Sequence, residues 1–559
     1  MACEGFGAII SECAEIVFLE QRGPMSSRKW HALLAVLCVM TLALGTFSGC
    51  GTKPTSLNVV QLDSGKISGV QQGGTWTYLG IPYAKPPVGN LRWRPPEDPV
   101  AWSGIRACTK YGATCPQPPG LVSFGQTSED CLYLNVWTPA RTSTEKLPVM
   151  VWIYGGAFTT GSGSDPRFNG VNLTKQGVIV VTINYRVGMF GFMAHPQLSK
   201  ESPHHSSGNY GLMDMIQALK WVKKNINGFG GDPGRVTVFG QSSGAESIQY
   251  LLVSPPAKGL FQRAISESGP RWHYGWISPM NPSLKIAEKT GEQMAINLGC
   301  GNASDQIAAM RAKSSDEVLK AAGYNVLASD PPTGIQAAVN VDGWIIPETP
   351  ETLYKAGKQM NVPVLIGSNR DDGTLFGGIV QKNNIPASQY QPIIQGAVGE
   401  PAAAEVVSMF PVTSDAQVGA TVSNLLTQMD FASCARYICD STISKTTSKA
   451  FLYEFTRVPP TQAGALLGCC HSAEIQYVFG NLPSSEGYGP KDTEISNTMM
   501  GYWTRFAKTG DPNGGGSPVW PSYSSKDQNM GIGDQVTVNS GLFKAQCDLS
   551  EKIYAGGKP

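Results

Sequence analysis

With 559 residues, 41% of them hydrophobic and 15% charged, the chain has an ordinary globular composition and enough length for one large domain or several small ones. A net charge of +1 removes the electrostatic footprint of a nucleic-acid partner or of charge-driven attachment to a membrane surface. Its 64 glycines and 39 prolines fall short of a disordered composition and imply many turns.

Residues 25–50 read as a secretory signal. Arg28 and Lys29 precede an apolar run from Ala32 to Phe47, and Ser48-Gly49-Cys50 closes it with small residues. The run is shorter than the roughly 18 residues of a membrane span. Phe47-Ser48-Gly49-Cys50 resembles a bacterial lipobox, with Phe where Leu is commoner. That resemblance implies an exported protein tethered to a membrane through lipidated Cys50, at the outer membrane or facing the periplasm. Gly51 is not the aspartate that holds such proteins at the inner membrane. Plain secretion and an uncleaved anchor are the rival outcomes. Residues 1–24 carry Glu4, Glu12, Glu15 and Glu20, which the basic start of a signal avoids. Met25 is therefore the expected start, and 1–24 an extension outside the native protein; a peptide from 1–24 in the expressed protein would refute this.

Export permits disulfides. Setting aside Cys3, Cys13, Cys38 and Cys50 leaves Cys108, Cys115, Cys131, Cys300, Cys434, Cys439, Cys469, Cys470 and Cys547, an odd set, so at least one has no partner within the chain. No Cys/His spacing of zinc type occurs, and no metal site is expected.

From 57 to 83, short apolar stretches broken by glycines predict antiparallel strands at a sheet edge. Residues 82–99 are a Pro-rich crossing loop. Strands are expected at 132–137, 147–154 and 178–185. Leu212, Ile216, Leu219 and Val222 then lie at helical spacing, with Phe229-Gly-Gly-Asp-Pro233 as a stop. A strand at 236–239 leads into Gly240-Gln241-Ser242-Ser243-Gly244, and later strands fall at 363–367 and 450–455. Alternation of strand and helix predicts an α/β fold: a large, mostly parallel central sheet with helices on both faces and a small antiparallel N-terminal edge. No repeat or low-complexity linker interrupts residues 51–559, so one domain is expected there.

Gly240 to Gly244 fits G-x-S-x-G between a strand and a helix, the turn that lifts a serine oxygen above a sheet. Such a serine needs a base, and the base needs a carboxylate to fix its tautomer. In sheets of this kind the order is Ser, acid, His. Of the six histidines only His273 and His471 follow Ser242, and His273 leaves little room for an acid-bearing strand. His471, in Gly468-Cys-Cys-His-Ser-Ala-Glu474, remains. Asp371 and Asp372 stand where an apolar strand runs into its carboxyl-end loop, the edge at which catalytic groups gather. Gly155-Gly156-Ala157, after another strand, offers backbone N–H groups close to a developing oxyanion, with the N–H of Ser243 as a further donor.

These motifs resemble the type-B carboxylesterases of the α/β-hydrolase superfamily, the family of the cholinesterases and the para-nitrobenzyl esterases. The collinear matches include Leu79-Gly-Ile-Pro-Tyr-Ala84, Ser128-Glu-Asp-Cys-Leu-Tyr-Leu-Asn-Val136, Tyr154-Gly-Gly-Ala-Phe158, Asn209-Tyr-Gly-Leu-Met-Asp214, Gly367-Ser-Asn-Arg-Asp-Asp-Gly373 and Trp520-Pro-Ser-Tyr523. The resemblance implies Ser242 as nucleophile, Asp372 as acid and His471 as base, with Gly156, Ala157 and Ser243 as oxyanion donors. It implies a disulfide Cys115–Cys131, offers Cys434–Cys547 as another, and makes Arg92 with Glu129 a buried ion pair.

The departures are informative. The family acid is commonly Glu, so with Asp372 either the loop comes closer or Asp371 serves. Alanine at 157 and serine at 243 replace smaller residues where only the backbone is expected to act. Cys300 lacks the partner of a further family disulfide, and Cys469-Cys470, for which Cys439 is a candidate partner, is unusual. Residues 116–130 lack the tryptophan with which cholinesterases hold a quaternary ammonium, which argues against choline esters. The expectation is hydrolysis of small to medium uncharged esters through an acyl-enzyme, without cofactor or nucleic acid, and with the membrane engaged only through the lipid anchor. Lactone or lipid acyl hydrolysis, and a catalytically silent binding protein, are the alternatives.

Overall fold

Strands that are apolar on both faces must be covered on both faces. The runs at 147–153 and 179–183 are of that kind: nearly every residue in them is buried. The computed structural model describes residues 57–118, 125–270, 281–323, 335 and 338–555. The expected signal, Cys50 and the 1–24 extension lie outside the described residues, as does His273.

Fourteen strands follow in chain order: β1 (Val59–Gln61), β2 (Lys66–Ser68), β3 (Val70–Gln72), β4 (Thr75–Pro82), β5 (Ile105–Ala107), β6 (Tyr133–Thr138), β7 (Leu147–Ile153), β8 (Ile179–Ile183), β9 (Gly231–Gln241), β10 (Arg263–Glu267), β11 (Val364–Asn369), β12 (Ala450–Phe455), β13 (Gln528–Ile532) and β14 (Val536–Ser540). Eleven of them form one sheet in the order β14-β13-β12-β11-β10-β9-β7-β8-β6-β4-β3. The run from β8 through β13 is parallel; β6, β4 and β3 at one edge and β14 at the other are antiparallel. The N-terminal edge differs from expectation in one respect. β1 and β2 leave the large sheet and pair with β5 in a separate three-stranded sheet, β2–β5 being parallel.

The principal helices are α1 (Tyr210–Asn225), α2 (Ser243–Val253), α3 (Thr374–Lys382), α4 (Asp415–Leu425), α5 (Ser433–Lys445), α6 (Ile475–Phe479) and α7 (Pro490–Thr509). The i, i+4 apolar spacing in α1 becomes an almost wholly buried helix. Gly230, at φ +81°, ends the short turn after α1 and lets Gly231 pair with Leu147, so β9 begins earlier than its apolar core suggests.

The Cys115–Cys131 disulfide forms. The offered Cys434–Cys547 disulfide does not form; both residues are buried thiols, as are Cys108, Cys300, Cys439, Cys469 and Cys470. Arg92 makes a two-pronged ion pair with Glu129, its Nε donating to Oε2 at 2.6 Å. A second buried pair lies under the sheet's carboxyl end. Arg186 Nε and Nη2 donate to the two oxygens of Asp214 at 2.8 and 2.7 Å, with both side chains almost inaccessible. Removing one partner leaves an uncompensated buried charge, which costs about 3–5 kcal/mol. Asp214→Asn is therefore expected to lower the urea midpoint by that equivalent, and an unchanged midpoint would count against a structural role for the pair.

Candidate active site

The site is assembled from the carboxyl ends of β7, β9, β11 and β12, neighbours or near-neighbours in the sheet. β9 ends at Gln241, α2 begins at Ser243, and Ser242 between them holds φ 57°, ψ −128°. An L-residue is strained there, so the turn must be held from both sides. The N–H of Ser242 donates to Glu267 O at 2.9 Å, and its carbonyl accepts from Glu246 N at 2.8 Å. A Cβ on Gly240 or Gly244 would fall 2.4 or 2.0 Å from the carbonyl oxygen of Ile153. The two flanking glycines thus let the elbow press against the end of β7.

The chain after β7 carries three consecutive left-handed residues: Gly156 at φ 125°, Ala157 at 54° and Phe158 at 59°. Gly155 packs on the elbow so closely that a Cβ would lie 2.7 Å from Cβ of Ser242. Among the described residues no backbone acceptor takes the N–H of Gly156 or Ala157. Ser243 is the first residue of α2, so its N–H lies outside the intrahelical ladder. Sequence reasoning treated Ser243 as a backbone donor only. Its side chain also acts: Phe158 N donates to Ser243 Oγ at 3.2 Å and ties the loop to the elbow.

The turn after β11 places Asp371 and Asp372 differently. Asp372 is fully buried; its Oδ1 lies 2.7 Å from His471 Nδ1, and its Oδ2 accepts from Asn369 N at 2.7 Å. Asp371 faces Arg370 in an ion pair and accepts from Cys469 N. With Asp372 accepting at Nδ1, the imidazole proton sits on Nδ1 and leaves Nε2 as an acceptor. Gln241 Nε2 lies 3.1 Å from that nitrogen and donates to it. This glutamine, next to the serine, was not singled out from sequence. Its position inside G-x-S-x-G was the available signal.

Besides Asp371, Asn369 holds the His471 loop. Asn369 Nδ2 donates to Cys470 O at 2.8 Å and also to Glu474 Oε2. Burial pushes the Cys470 thiol up to about 11, which keeps it protonated and unreactive beside the imidazole. Two rings flank His471: Phe431 at 5.0 Å and Phe376 at 5.4 Å between centroids. Phe376 comes from α3. Phe431 comes from a π-helical turn, Leu426–Ala432, a device often found at functional sites. Neither ring was expected from sequence.

Among the described residues no group of three or more His, Cys, Asp or Glu side chains could hold a metal ion. The arrangement suits acyl transfer: an elevated serine, an acid–imidazole pair and unpaired N–H groups on adjoining strand ends.

Comparison with known proteins agrees with this chemistry. The carboxylesterase family model matches residues 56–550. Fumonisin B1 esterase of Sphingopyxis macrogoltabida is 37% identical over 492 residues, covering 86% of this chain and 87% of that protein. Para-nitrobenzyl esterase of Bacillus subtilis (strain 168) is 35% identical over 501 residues, covering 86% and 96%. A solved PNB esterase structure, 33% identical, superposes with a TM-score of 0.76 over 89% of this chain and 100% of its own. The chain therefore belongs to the carboxylesterase family and is a serine hydrolase of ester bonds with the α/β-hydrolase fold.

Proposed function

We propose that Ser242 is the nucleophile, His471 the general base and acid, and Asp372 the residue that orients the imidazole. The observation that carries this reading is the buried 2.7 Å contact between Asp372 Oδ1 and His471 Nδ1, on strand ends next to a serine in a strained elbow. Ser242 Oγ attacks the ester carbonyl as its proton passes to His471 Nε2. Gly156, Ala157 and Ser243 N–H groups meet the oxyanion, each contributing about 3 kcal/mol. Collapse of the tetrahedral species returns the proton from Nε2 to the departing alcohol and leaves the acyl group on Ser242. Water, deprotonated by the same nitrogen, then releases the acid. For Nε2 to reach the serine, Gln241 must give up its bond to it.

The substrates proposed are small to medium uncharged esters. The aromatic faces of Phe376 and Phe431 beside the base support an apolar acyl or alcohol group. Hydrolysis of lactones or longer lipid esters uses the same atoms, and the length series below separates them. The B. subtilis relative is named for para-nitrobenzyl esters, which makes nitroaryl esters reasonable probes.

Turnover of para-nitrophenyl esters from acetate to palmitate is the direct test. Ser242→Ala should abolish the burst and turnover; Asp372→Asn should lower kcat about 10⁴-fold by favouring the wrong tautomer. Asp371→Asn should stay within about ten-fold, because that residue does not touch the imidazole. Equal losses at 371 and 372 would overturn the assignment of the acid. Gly155→Ala should push Ser242 off its position and cost on the order of 10²-fold in kcat, since a displacement near 1 Å has that effect; wild-type turnover in this variant would show that the close approach does not govern the site.

The chain is further proposed to be exported and tethered through lipidated Cys50. The basic–apolar–small pattern before Cys50 supports this, and the Cys115–Cys131 disulfide suits an oxidising compartment. Labelled palmitate should be incorporated by the wild type and not by Cys50→Ala; equal labelling of both would refute the tether.

A further inference from the structure

A group of buried polar side chains lies beneath the triad and takes no direct part in the chemistry above. Glu267 ends β10 and Glu474 precedes α6; both are fully buried. Glu267 Oε1 accepts from Trp503 Nε1 at 2.7 Å, and Glu474 Oε2 accepts from Asn369. The second oxygen of each, Glu267 Oε2 and Glu474 Oε1, is buried with no hydrogen-bond partner among the described residues. The same holds for the Tyr453 hydroxyl.

The sheet register brings Glu267 and Tyr453 together, and Asn369, two residues beyond Gly367 on β11 and so on the same face, draws Glu474 to them through its side-chain amide. Glu267, Gly367 and Tyr453 are paired across β10, β11 and β12, so they stand in one row on one face. Gly367 leaves that row open: a Cβ there would sit 2.4 Å from the Tyr453 ring. The ring lies over the gap; burial, and then the charges of Glu267 and Glu474, push the phenol's pKa well up.

Two ionised carboxylates cannot share such a space without a cation. The titratable groups facing Glu474 are Glu267 from β10, Asp372 after β11, Tyr453 from β12, and Cys469, Cys470 and His471 from its own loop. Burial, and then the charge of Glu474, push the Glu267 carboxyl well up. Burial and the Asp372 charge also raise Glu474, while the Asn369 amide, and the imidazolium when His471 takes a proton, favour its ionised form.

We propose that Glu267 and Glu474 hold one proton between them, with Glu267 as the neutral acid donating to Glu474, and that this pair positions His471 and sets its basicity. The proton links the two orphaned oxygens. Glu474, kept as the anion, anchors Asn369, which holds Cys470 O on the base loop and Asp372 Oδ2 on the acid turn. The same negative charge favours the imidazolium that forms when His471 takes the serine proton. Glu267 also binds Ser242 N through its carbonyl, so the pair adjoins all three members of the triad. Glu267 and Glu474 are positioning residues, and the inference rests on His471 being the base.

The two acids should respond differently to the same substitution. Glu267→Gln retains a neutral donor, so the acid limb of the kcat/KM–pH profile should stay within about 0.2 pH unit of wild type. Glu474→Gln removes the anion, so the limb should move down by about one unit, with kcat falling about ten-fold and KM little changed. A limb that stays in place in Glu474→Gln, or one that moves equally in both variants, overturns the proposal. If Glu474→Gln does not fold, the infrared difference spectrum between wild type and Glu267→Gln at neutral pH decides. It should contain the carbonyl stretch of a protonated carboxylic acid lost in the variant, and its absence overturns the proposal. Ser242→Ala run alongside tests the triad by itself, so its failure is distinct from failure of the acid pair.

Discussion

The close approach of two backbones governs this molecule. The elbow around Ser242 lies against the end of β7 at a separation that leaves no room for a Cβ at Gly240 or Gly244. That contact brings the loop at 155–158 beside the serine, and the bond from Phe158 N to Ser243 Oγ locks the loop in place. The strain at Ser242, and the left-handed conformations of Ala157 and Phe158, are each worth on the order of 1–3 kcal/mol against folding. They persist because sheet register and the hydrogen bonds to Glu267 O and Glu246 N over-determine the turn. The reactive geometry is therefore a consequence of strand packing, held in advance of substrate binding.

The second constraint is electrostatic. The sheet's carboxyl edge holds several buried acids: Asp372, Glu267 and Glu474 around the imidazole, and Glu246 one turn into α2. Burial pushes Glu246 up to about 8 even though Tyr250 donates to it, so near neutrality it is largely protonated. Its folded pKa lies above its unfolded one. The folded state thus binds more protons between about pH 4.5 and 8, and stability falls as pH rises through that window. Asp372 has two partners, the imidazole and Asn369 N, which compensate its desolvation. With Asp372 paired to the imidazole, Glu246 protonated and, on the proposal above, one proton shared between Glu267 and Glu474, one apolar edge carries so many acids.

Much of this was legible in the sequence because particular residues had few substitutes. Glycines around Ser242 pointed to an elbow, a scarcity of histidines pointed to His471, and apolar runs followed by loops located the strands. Legibility ended where neighbours in sequence diverge in space. Asp371 and Asp372 are adjacent and chemically alike, but one faces Arg370 and the other the imidazole, and only the turn geometry separates them. Cys434 and Cys547 were offered as a pair by resemblance, and both remain thiols. Short strands misled as well: β1 and β2 have the pattern of a sheet edge, but their partner β5 comes from a distant stretch that no local periodicity announces. Glu267 and Glu474 are acids at the ends of apolar segments, where composition suggests solvent; strand register places Glu267, and the Asn369 amide draws Glu474 to the same end of the sheet.

A long excursion separates the strands that carry Asp372 and His471. Between β11 and β12 the chain runs from Arg370 to Lys449, and part of it builds a second apolar cluster from Tyr390, Ile394, Val406, Phe410 and Leu425. That cluster is distinct from the core under the sheet, which contains Ile153, Val238, Phe239 and Leu365. Phe376 and the π-helical Phe431 both come from this excursion, and both end against His471. Asp372 and His471 hang from β11 and β12, whose pairing is fixed by parallel ladders regardless of the excursion's packing. Changes within the second cluster can therefore move the aromatic wall by small amounts while the 2.7 Å contact between Asp372 and His471 stays in place. On the proposed assignment of the triad, such a division gives reactivity to the sheet and substrate fit to the insertion, a physical reason why one set of reacting groups on this fold can serve esters of different shapes.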